Sequence, residues 1–110
     1  MSADIVMADC TLNKRDCAVK NLPYPIYTRI CVQLNIKTLC FKDYRMVAEK
    51  LGTDRDVIEW IGQGENPTNE LFTSFYRDAT VDRLIQILHE IERPDVAKVL
   101  EDWVAEHWWL

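Results

Sequence analysis

One stretch of the sequence combines a helix start, an apolar face and a helix stop: Asp43-Tyr44-Arg45-Met46-Val47-Ala48-Glu49-Lys50-Leu51-Gly52. Asp43 stands at the N-cap position, where a short polar side chain accepts hydrogen bonds from free backbone amides. Gly52 follows as a residue that adopts the left-handed conformation of many helix ends. The apolar residues between them share one face at helical spacing: Tyr44, Val47, Ala48 and Leu51. The stretch therefore predicts an amphipathic helix over residues 44–51.

Similar signals mark five further helices on either side of this stretch. Pro23 and Pro25 open a helix over residues 24–35, and Thr53 or Asp54 caps a short third helix that Gly62 and Gly64 end. Asn66-Pro67 starts a helix over residues 67–77, Thr80 caps a fifth helix, and Arg93-Pro94 opens a sixth. Their apolar faces comprise Ile26, Ile30 and Leu34; Val57, Ile58 and Ile61; Leu71, Phe72 and Phe75; Val81, Leu84, Ile85, Leu88 and Ile91; Val96, Val99, Leu100, Trp103 and Val104.

These signals for six helices predict a single all-α domain that folds as an antiparallel bundle. A chain of 110 residues suits one domain, and its 3 glycines and 4 prolines are few for a many-stranded β fold. A four-helix bundle with longer helices is the alternative, but glycines and prolines interrupt each candidate long helix. We expect residues 1–21 to be a flexible leader and residues 22–110 to form the domain.

The sequence offers little for catalysis, so an enzyme is not expected. It contains no nucleophile-elbow, P-loop, zinc-protease or dinucleotide-binding motif. Cys10, Cys17, Cys31 and Cys40 lack metal-ligand spacing, and we expect reduced thiols, no metal and no cofactor. His89 and His107 are expected on the surface. No apolar run is long enough to cross a bilayer, which predicts no membrane insertion and a cytoplasmic protein.

Charge is distributed unevenly along the chain. The net charge of −5 argues against a nucleic-acid partner. Residues 1–50 carry 8 Lys and Arg against 5 Asp and Glu, whereas residues 51–110 carry 5 against 13. If the two halves project on different faces, copies or relatives could dock head to tail in an open stack. Ordinary solvation of helix faces is the alternative explanation.

Tryptophans provide a second indication of a partner. Trp60 lies at the edge of the third helix face, so it either covers that short helix or anchors a partner. Trp103 falls on the apolar face of the sixth helix and is expected in the core. Trp108 and Trp109 are adjacent and point in different directions, so one of them is expected to be exposed.

Four of these segments resemble the death-domain family. Residues 43–52 resemble its second-helix signature, Asp-Trp-x-x-Leu-Ala-x-x-Leu-Gly, with Tyr44 and Val47 as substitutions. The segments that begin at Asn66, Thr80 and Arg93 are similar to the starts of its fourth, fifth and sixth helices. The resemblance covers residues 22–104. Within the family, residues 95–108 are most similar to the adaptor type that serves the ectodysplasin receptor, and residues 22–31 to netrin-receptor death domains.

The resemblance implies a six-helix Greek-key bundle without catalysis that assembles with death domains of a receptor or adaptor, or with itself. It implies an adaptor in signalling of the NF-κB or apoptosis type, or alternatively an intramolecular docking domain of a larger netrin-receptor-like protein. Carried onto this chain, the interface comprises basic Arg29, Lys42 and Arg45; the acidic surface of Asp54, Asp56, Glu59, Glu65, Asn69 and Glu70; and the turn residues Glu92 and Arg93. Trp60 joins them as the possible aromatic anchor.

Overall fold

A computed structural model of the protein describes residues 13–106. Within this range six α-helices follow one another: α1 (Tyr24–Asn35), α2 (Tyr44–Leu51), α3 (Arg55–Ile61), α4 (Pro67–Glu70), α5 (Val81–Glu90) and α6 (Pro94–Ala105). A π-helical turn (Leu71–Phe75) extends α4, and two 3-10 turns (Lys14–Asp16 and Val19–Asn21) precede α1. The described residues form no strand, only an isolated bridge between Ala18 and Thr80. The all-α prediction is confirmed.

The helices pack against partners that are distant in sequence. Helix α1 lies against both α6 and α4, while α5 lies against α6 and α2, and α2 also contacts α3. This arrangement encloses one hydrophobic core, to which all six helices or their extensions contribute. Its largest fully buried side chains include Ile30, Leu34, Tyr44, Leu71, Phe72, Leu84, Ile87, Leu88, Ile91 and Leu100. Full burial of each such aliphatic side chain contributes about 1.5–3 kcal/mol.

Most of the expected helix boundaries are confirmed by their caps. The side chains of Asp43, Asn66 and Thr80 each accept a backbone amide hydrogen bond at the start of a helix. Gly52 ends α2 at φ 102°, in the left-handed region. Asp54 is different, because it occupies the N-cap position of α3 without a hydrogen bond from its side chain.

The expected helix over residues 67–77 is wrong in its second half. The α-helical part ends at Glu70, and the chain continues through the π-helical turn, in which the amide of Tyr76 donates to the carbonyl of Leu71 at 2.9 Å. The wider turn rotates the residues beyond Phe72 away from their α-helical positions. Phe75, expected on the inner face, is therefore 43% exposed.

The expected domain boundary near Leu22 must move toward the N-terminus. Cys17 and Val19 are buried in the core, and residues 13–22 form a strap across α5 and α6. Backbone hydrogen bonds join Val19 to Ala79 and Val81 to Cys17, each at 2.9 Å. The rest of the expected leader, residues 1–12, lies outside the described residues.

The strap also caps the C-terminal end of α6. The Lys14 ammonium donates to the carbonyls of Trp103 and Glu106 at 2.9 and 3.3 Å, and it lies 4.9 Å from the centre of the Trp103 ring. Trp103 is partly buried and packs against the core. No helix within residues 13–106 has the length and apolar character needed to span a bilayer.

Candidate functional site

A surface groove of about 400 Å³ lies between the end of α3 and the start of α4. It is named here the Trp60 groove and is lined by Trp60, Ile61, Gln63, Gly64, Glu65, Asn66, Asn69 and Glu70. Four of the residues proposed from the sequence meet here: Trp60, Glu65, Asn69 and Glu70. Two elements that are separated by a short turn therefore build one surface.

Trp60 gives the groove an exposed aromatic wall. Its side chain, which the sequence placed at the edge of the apolar face of α3, is 59% exposed. The ring of Phe75 meets it edge to face, with 6.3 Å between centroids and 79° between planes. Because the π-helical turn carries Phe75 outward, two aromatic rings from different elements remain at the surface. Exposed aromatic rings of this kind are enriched among residues that dominate binding energy at protein interfaces.

The segment that carries Trp60 is rich in carboxylates that form no ion pair within residues 13–106. Residues 54–70 contain five carboxylates, at positions 54, 56, 59, 65 and 70, and only one cation, Arg55. All the salt bridges formed within residues 13–106 use carboxylates outside this stretch. Within the described part of the chain these carboxylates are therefore free of ion pairs, and a cationic partner would bind this acidic region favourably.

A hydrogen-bond network fixes one wall of the Trp60 groove to α1. The hydroxyl of Tyr27 donates to Oδ1 of Asn69 at 2.6 Å, and Nδ2 of Asn35 donates to Oδ1 of Asn66 at 2.8 Å. The amide and hydroxyl of Thr68 both donate to Oδ1 of Asn35, at 3.0 and 2.6 Å. These contacts hold the start of α4 rigidly, so the groove is largely formed before any partner arrives.

The other predicted acidic residues lie outside this groove. Asp54 and Asp56 are exposed near the start of α3. Glu59 lines a different groove of about 390 Å³ between α2 and α3, together with Arg45 and Arg55. The predicted acidic surface is thus divided between two grooves and the start of α3.

Lys42, Glu92 and Arg93 form a separate cluster at the turn between α5 and α6. Lys42 pairs with Glu92, and the Arg93 guanidinium donates to the carbonyl of Lys42. Arg93 also binds both carboxylate oxygens of Asp95 at 3.0 Å. Hydrogen bonding from Lys42 lowers the pKa of Glu92, and hydrogen bonding from Arg93 lowers the pKa of Asp95. Lys42 of the predicted basic surface and the predicted turn residues Glu92 and Arg93 therefore form one cluster, whose charges are largely paired with one another and with Asp95.

Arg45, expected in the basic interface, serves a structural role. Its guanidinium binds both carboxylate oxygens of Asp43 at 2.9 and 2.7 Å and donates to the carbonyl of Thr38 at 3.0 Å. It also lies 4.3 Å from the centre of the Phe41 ring. Since Asp43 is fully buried, Arg45 compensates a buried charge. Substitution of Arg45 would disturb the fold and is not a clean test of assembly.

We expected the first two helices to form a basic face and the later helices a separate acidic face, but the two sets of charges are not fully separated. Lys42 pairs with Glu92, and Lys50 approaches Glu90 at 3.9 Å, so cations of the early helices meet carboxylates of the later ones. Arg29 is exposed but lines a groove of about 820 Å³ that also contains Asp95 and several other α6 residues. Charge counts along the chain missed these pairs because tertiary packing determines them.

An exposed apolar loop was missed by the sequence reasoning. Leu39 in the loop between α1 and α2 is 100% exposed, and Ile36 and Phe41 on either side of it are also exposed. The only available signal was that these residues lie between the two predicted helices, off both apolar faces. The aromatic neighbour Phe75 was missed because its spacing places it on the inner face of a regular α-helix.

The cysteine and histidine side chains of the described residues do not gather into a metal site. Within residues 13–106 no group of three His, Cys, Asp or Glu side chains could hold a metal ion. Burial raises the pKa of the Cys31 thiol to about 11, so this sulfur is protonated at neutral pH. His89 is exposed and lies 3.0 Å from Glu101. His107, Trp108 and Trp109 lie outside the described residues.

Comparison with known families identifies the fold. The death-domain family model matches residues 29–104, which span α1 from its middle to nearly the end of α6. No curated protein and no solved structure gives a significant match. Domains of this family are non-catalytic protein-interaction modules with an all-α fold of six helices in a Greek-key arrangement. Since the match covers most of the chain and the helices agree with that fold, this chain belongs to the death-domain family.

Proposed function

We propose that this protein is a homotypic interaction module that binds another death domain through the Trp60 groove. The supporting observation is that the groove combines exposed Trp60, whose ring meets that of Phe75, with Glu65 and Glu70, which form no ion pair within residues 13–106. The other charged clusters are largely neutralised within the chain, as at Lys42 and Glu92. The complementary surface of the partner presents cations and an apolar side chain.

In this proposal the protein is a cytoplasmic adaptor that couples a receptor to downstream signalling of the NF-κB or apoptosis type. Receptor clustering raises the local concentration of death domains, and several weak contacts then give stable assembly through avidity. Exposed charge pairs contribute only about 0.2–1 kcal/mol each, so the apolar contact at Trp60 supplies most of the affinity and the charges supply selectivity.

The proposal predicts that Trp60→Ala weakens binding to a cognate death domain at least tenfold. Removal of a central aromatic anchor typically costs about 2 kcal/mol or more. Because Trp60 is 59% exposed, the variant should keep the helical circular dichroism signal and melting temperature of the wild type. The measurement is binding of the full chain to a panel of receptor and adaptor death domains by biolayer interferometry.

The matched control is Tyr24→Ala, which removes another exposed aromatic side chain, 80% exposed at the start of α1 and away from the groove. We expect Tyr24→Ala to bind as the wild type does. Glu70→Lys, which reverses a groove charge, should weaken binding and reduce its sensitivity to salt. Wild-type affinity in both Trp60→Ala and Glu70→Lys would contradict the proposal.

A second candidate function is intramolecular docking within a larger, netrin-receptor-like protein. The ion pairs of Lys42, Lys50 and Arg93 within the chain favour it, because they leave less free charge for several different partners. In that case the isolated chain should bind none of the panel, and light scattering should report a monomer at high concentration and low salt.

A further inference from the structure

The groove between α1 and α6 shares no residue with the Trp60 groove. It has a volume of about 820 Å³ and is lined on the α1 side by Ile26, Arg29 and Gln33. On the other side its lining residues run from Asp95 to Glu106, which corresponds to roughly 16 Å along the axis of α6. The groove is therefore long enough to hold a short extended segment.

Three apolar side chains on the walls of this groove are only partly covered by the rest of the domain. Ile26, Val99 and Trp103 pack against the core and also line the groove. None of the three is fully buried. An apolar occupant would remove their remaining surface from water, which the hydrophobic effect favours.

Two polar side chains of α1 line the same groove without a partner. Arg29 is exposed and forms no ion pair within residues 13–106. The Oε1 atom of Gln33 is buried and accepts no hydrogen bond from any described residue. Buried polar atoms are normally hydrogen-bonded, so this wall is incomplete without a further segment. A free guanidinium beside apolar surface suits an aromatic occupant, because arginine stacks on aromatic rings.

The chain leaves α6 at the edge of this groove. Glu106, the C-cap of α6, is itself a lining residue and has an extended backbone with φ −64° and ψ 143°. The Lys14 ammonium donates to the carbonyl of Glu106 at 3.3 Å, which fixes the point of exit. Residues 107–110 lie outside the described residues, but their attachment to Glu106 places their start beside the groove.

These four residues have the chemistry that the groove lacks. Their sequence is His107-Trp108-Trp109-Leu110. Four residues in an extended backbone span up to about 14 Å, which is close to the length of the groove. Because side chains alternate along an extended backbone, Trp108 and Leu110 would share one side and His107 and Trp109 the other. The side with Trp108 and Leu110 is the more apolar of the two.

Residues 1–12 are the alternative occupant from the same chain, because they lead to Lys14 beside Glu106. They carry two carboxylates, Asp4 and Asp9. The groove already holds three carboxylates and only two cations. Residues 107–110 carry no acidic side chain, so charge favours them over residues 1–12.

We propose that residues 107–110 fold back along α6 and dock in the groove between α1 and α6 of the same chain. Trp108 stacks on the Arg29 guanidinium and contacts Val99, while Trp109 stays exposed. The docked segment closes this groove to partner proteins and leaves the Trp60 groove open. The proposal concerns a separate surface and does not depend on the proposed function.

Nuclear Overhauser effects measured on the full chain test the contact directly. The ring protons of Trp108 should show these effects to the methyl groups of Ile26 and Val99, and their intensity should not depend on protein concentration. The ring protons of Trp109 should show none to these methyl groups. Isotope-filtered spectra of a mixture of labelled and unlabelled chains should show none between copies.

Unfolding by urea gives a second measurement. Trp108→Ala should lower the ratio of folded to unfolded chain about tenfold or more, because it leaves the groove open to water. Trp109→Ala is the matched control, the same change at the next position, and should unfold as the wild type does. Arg29→Ala should lower the ratio about two- to fivefold in the wild type but not in Trp108→Ala, which already lacks the stacking partner.

Four results would overturn the proposal. The first is a Trp108→Ala protein as stable as the wild type, or one that loses no more than Trp109→Ala. The second is an additive loss when Arg29→Ala and Trp108→Ala are combined. The third is contact of Val99 with the methyl groups of Ile5 or Val6, which would identify residues 1–12 as the occupant. The fourth is contact only between labelled and unlabelled chains, which would identify a second copy.

Discussion

At the scale of single residues, Asp43 shows how one buried carboxylate organises a region. Its side chain is fully buried and receives hydrogen bonds from the amides of Thr38 and Arg45 and from the Arg45 guanidinium. Burial alone would raise its pKa, but these hydrogen bonds outweigh burial and the pKa lies below its ordinary value. The sequence predicted the cap, whereas the pairing with Arg45 follows from the conformation of the loop and was not predictable from spacing.

We expect Asp43→Asn to lower the free energy of unfolding by about 2–4 kcal/mol. The substitution leaves the Arg45 guanidinium without its charged partner in a mostly buried position. The matched control is Asp54→Asn at the N-cap of α3, where no side-chain hydrogen bond exists, and its cost should be below about 0.5 kcal/mol. Urea unfolding followed by circular dichroism measures both. Equal costs for the two variants would contradict the role assigned to Asp43.

The same carboxylate predicts a pH dependence of stability. Because the folded-state pKa of Asp43 lies below its ordinary value of 3.8, its contribution is fully present above that value. The contribution is lost as the pH falls from there through the folded-state pKa, since the unfolded chain then binds the proton more readily. Unfolding free energies measured across this range should decline more steeply for the wild type than for Asp43→Asn. Parallel profiles would refute the assignment; Asp95 and Glu92 leave a smaller slope in both proteins.

At the scale of elements, the regular helices were predictable and the irregular segments were not. Caps and apolar spacing identified both ends of α1 and α2, and the start of α5. The π-helical turn was not predicted because Leu71 and Phe72 are buried in either an α-helix or a π-helix. The two helix types differ only at Phe75. The strap was not predicted from the sequence because its short 3-10 turns have no regular spacing of apolar residues, although Cys17 and Val19 are core residues.

The strap predicts that Lys14→Met destabilises the domain by about 1–3 kcal/mol. The ammonium group caps the last carbonyls of α6 and contacts the Trp103 ring, and methionine retains the length of the side chain but not the donor. Lys98→Met is the control, because Lys98 makes only an exposed pair with Asp102 along α6, worth about 0.3–0.5 kcal/mol. Thermal unfolding of both variants measures the difference. A Lys14→Met protein as stable as the control would show that the strap does not support α6.

At the scale of the whole molecule, charge counts along the chain did not predict which charged residues pair with one another. The acidic excess of the later half is real, yet much of it is paired with cations such as Lys42, Lys50 and Arg93. What remains unpaired is concentrated at residues 54–70 around Trp60. The sequence could select Trp60, Glu65, Asn69 and Glu70 individually, but only the folded turn between α3 and α4 brings them into one groove.

A chemical-shift map of the isotope-labelled chain with a bound partner death domain tests whether the Trp60 groove is the binding surface. We expect the largest backbone amide shifts in residues 60–70 and in the neighbouring turn at Phe75, around the Trp60 groove. Smaller shifts are expected at the cluster of Lys42 and Glu92, whose charges are already paired. Shifts concentrated in the groove between α1 and α6, around Arg29 and Asp95, with none near Trp60, would show that the partner binds elsewhere.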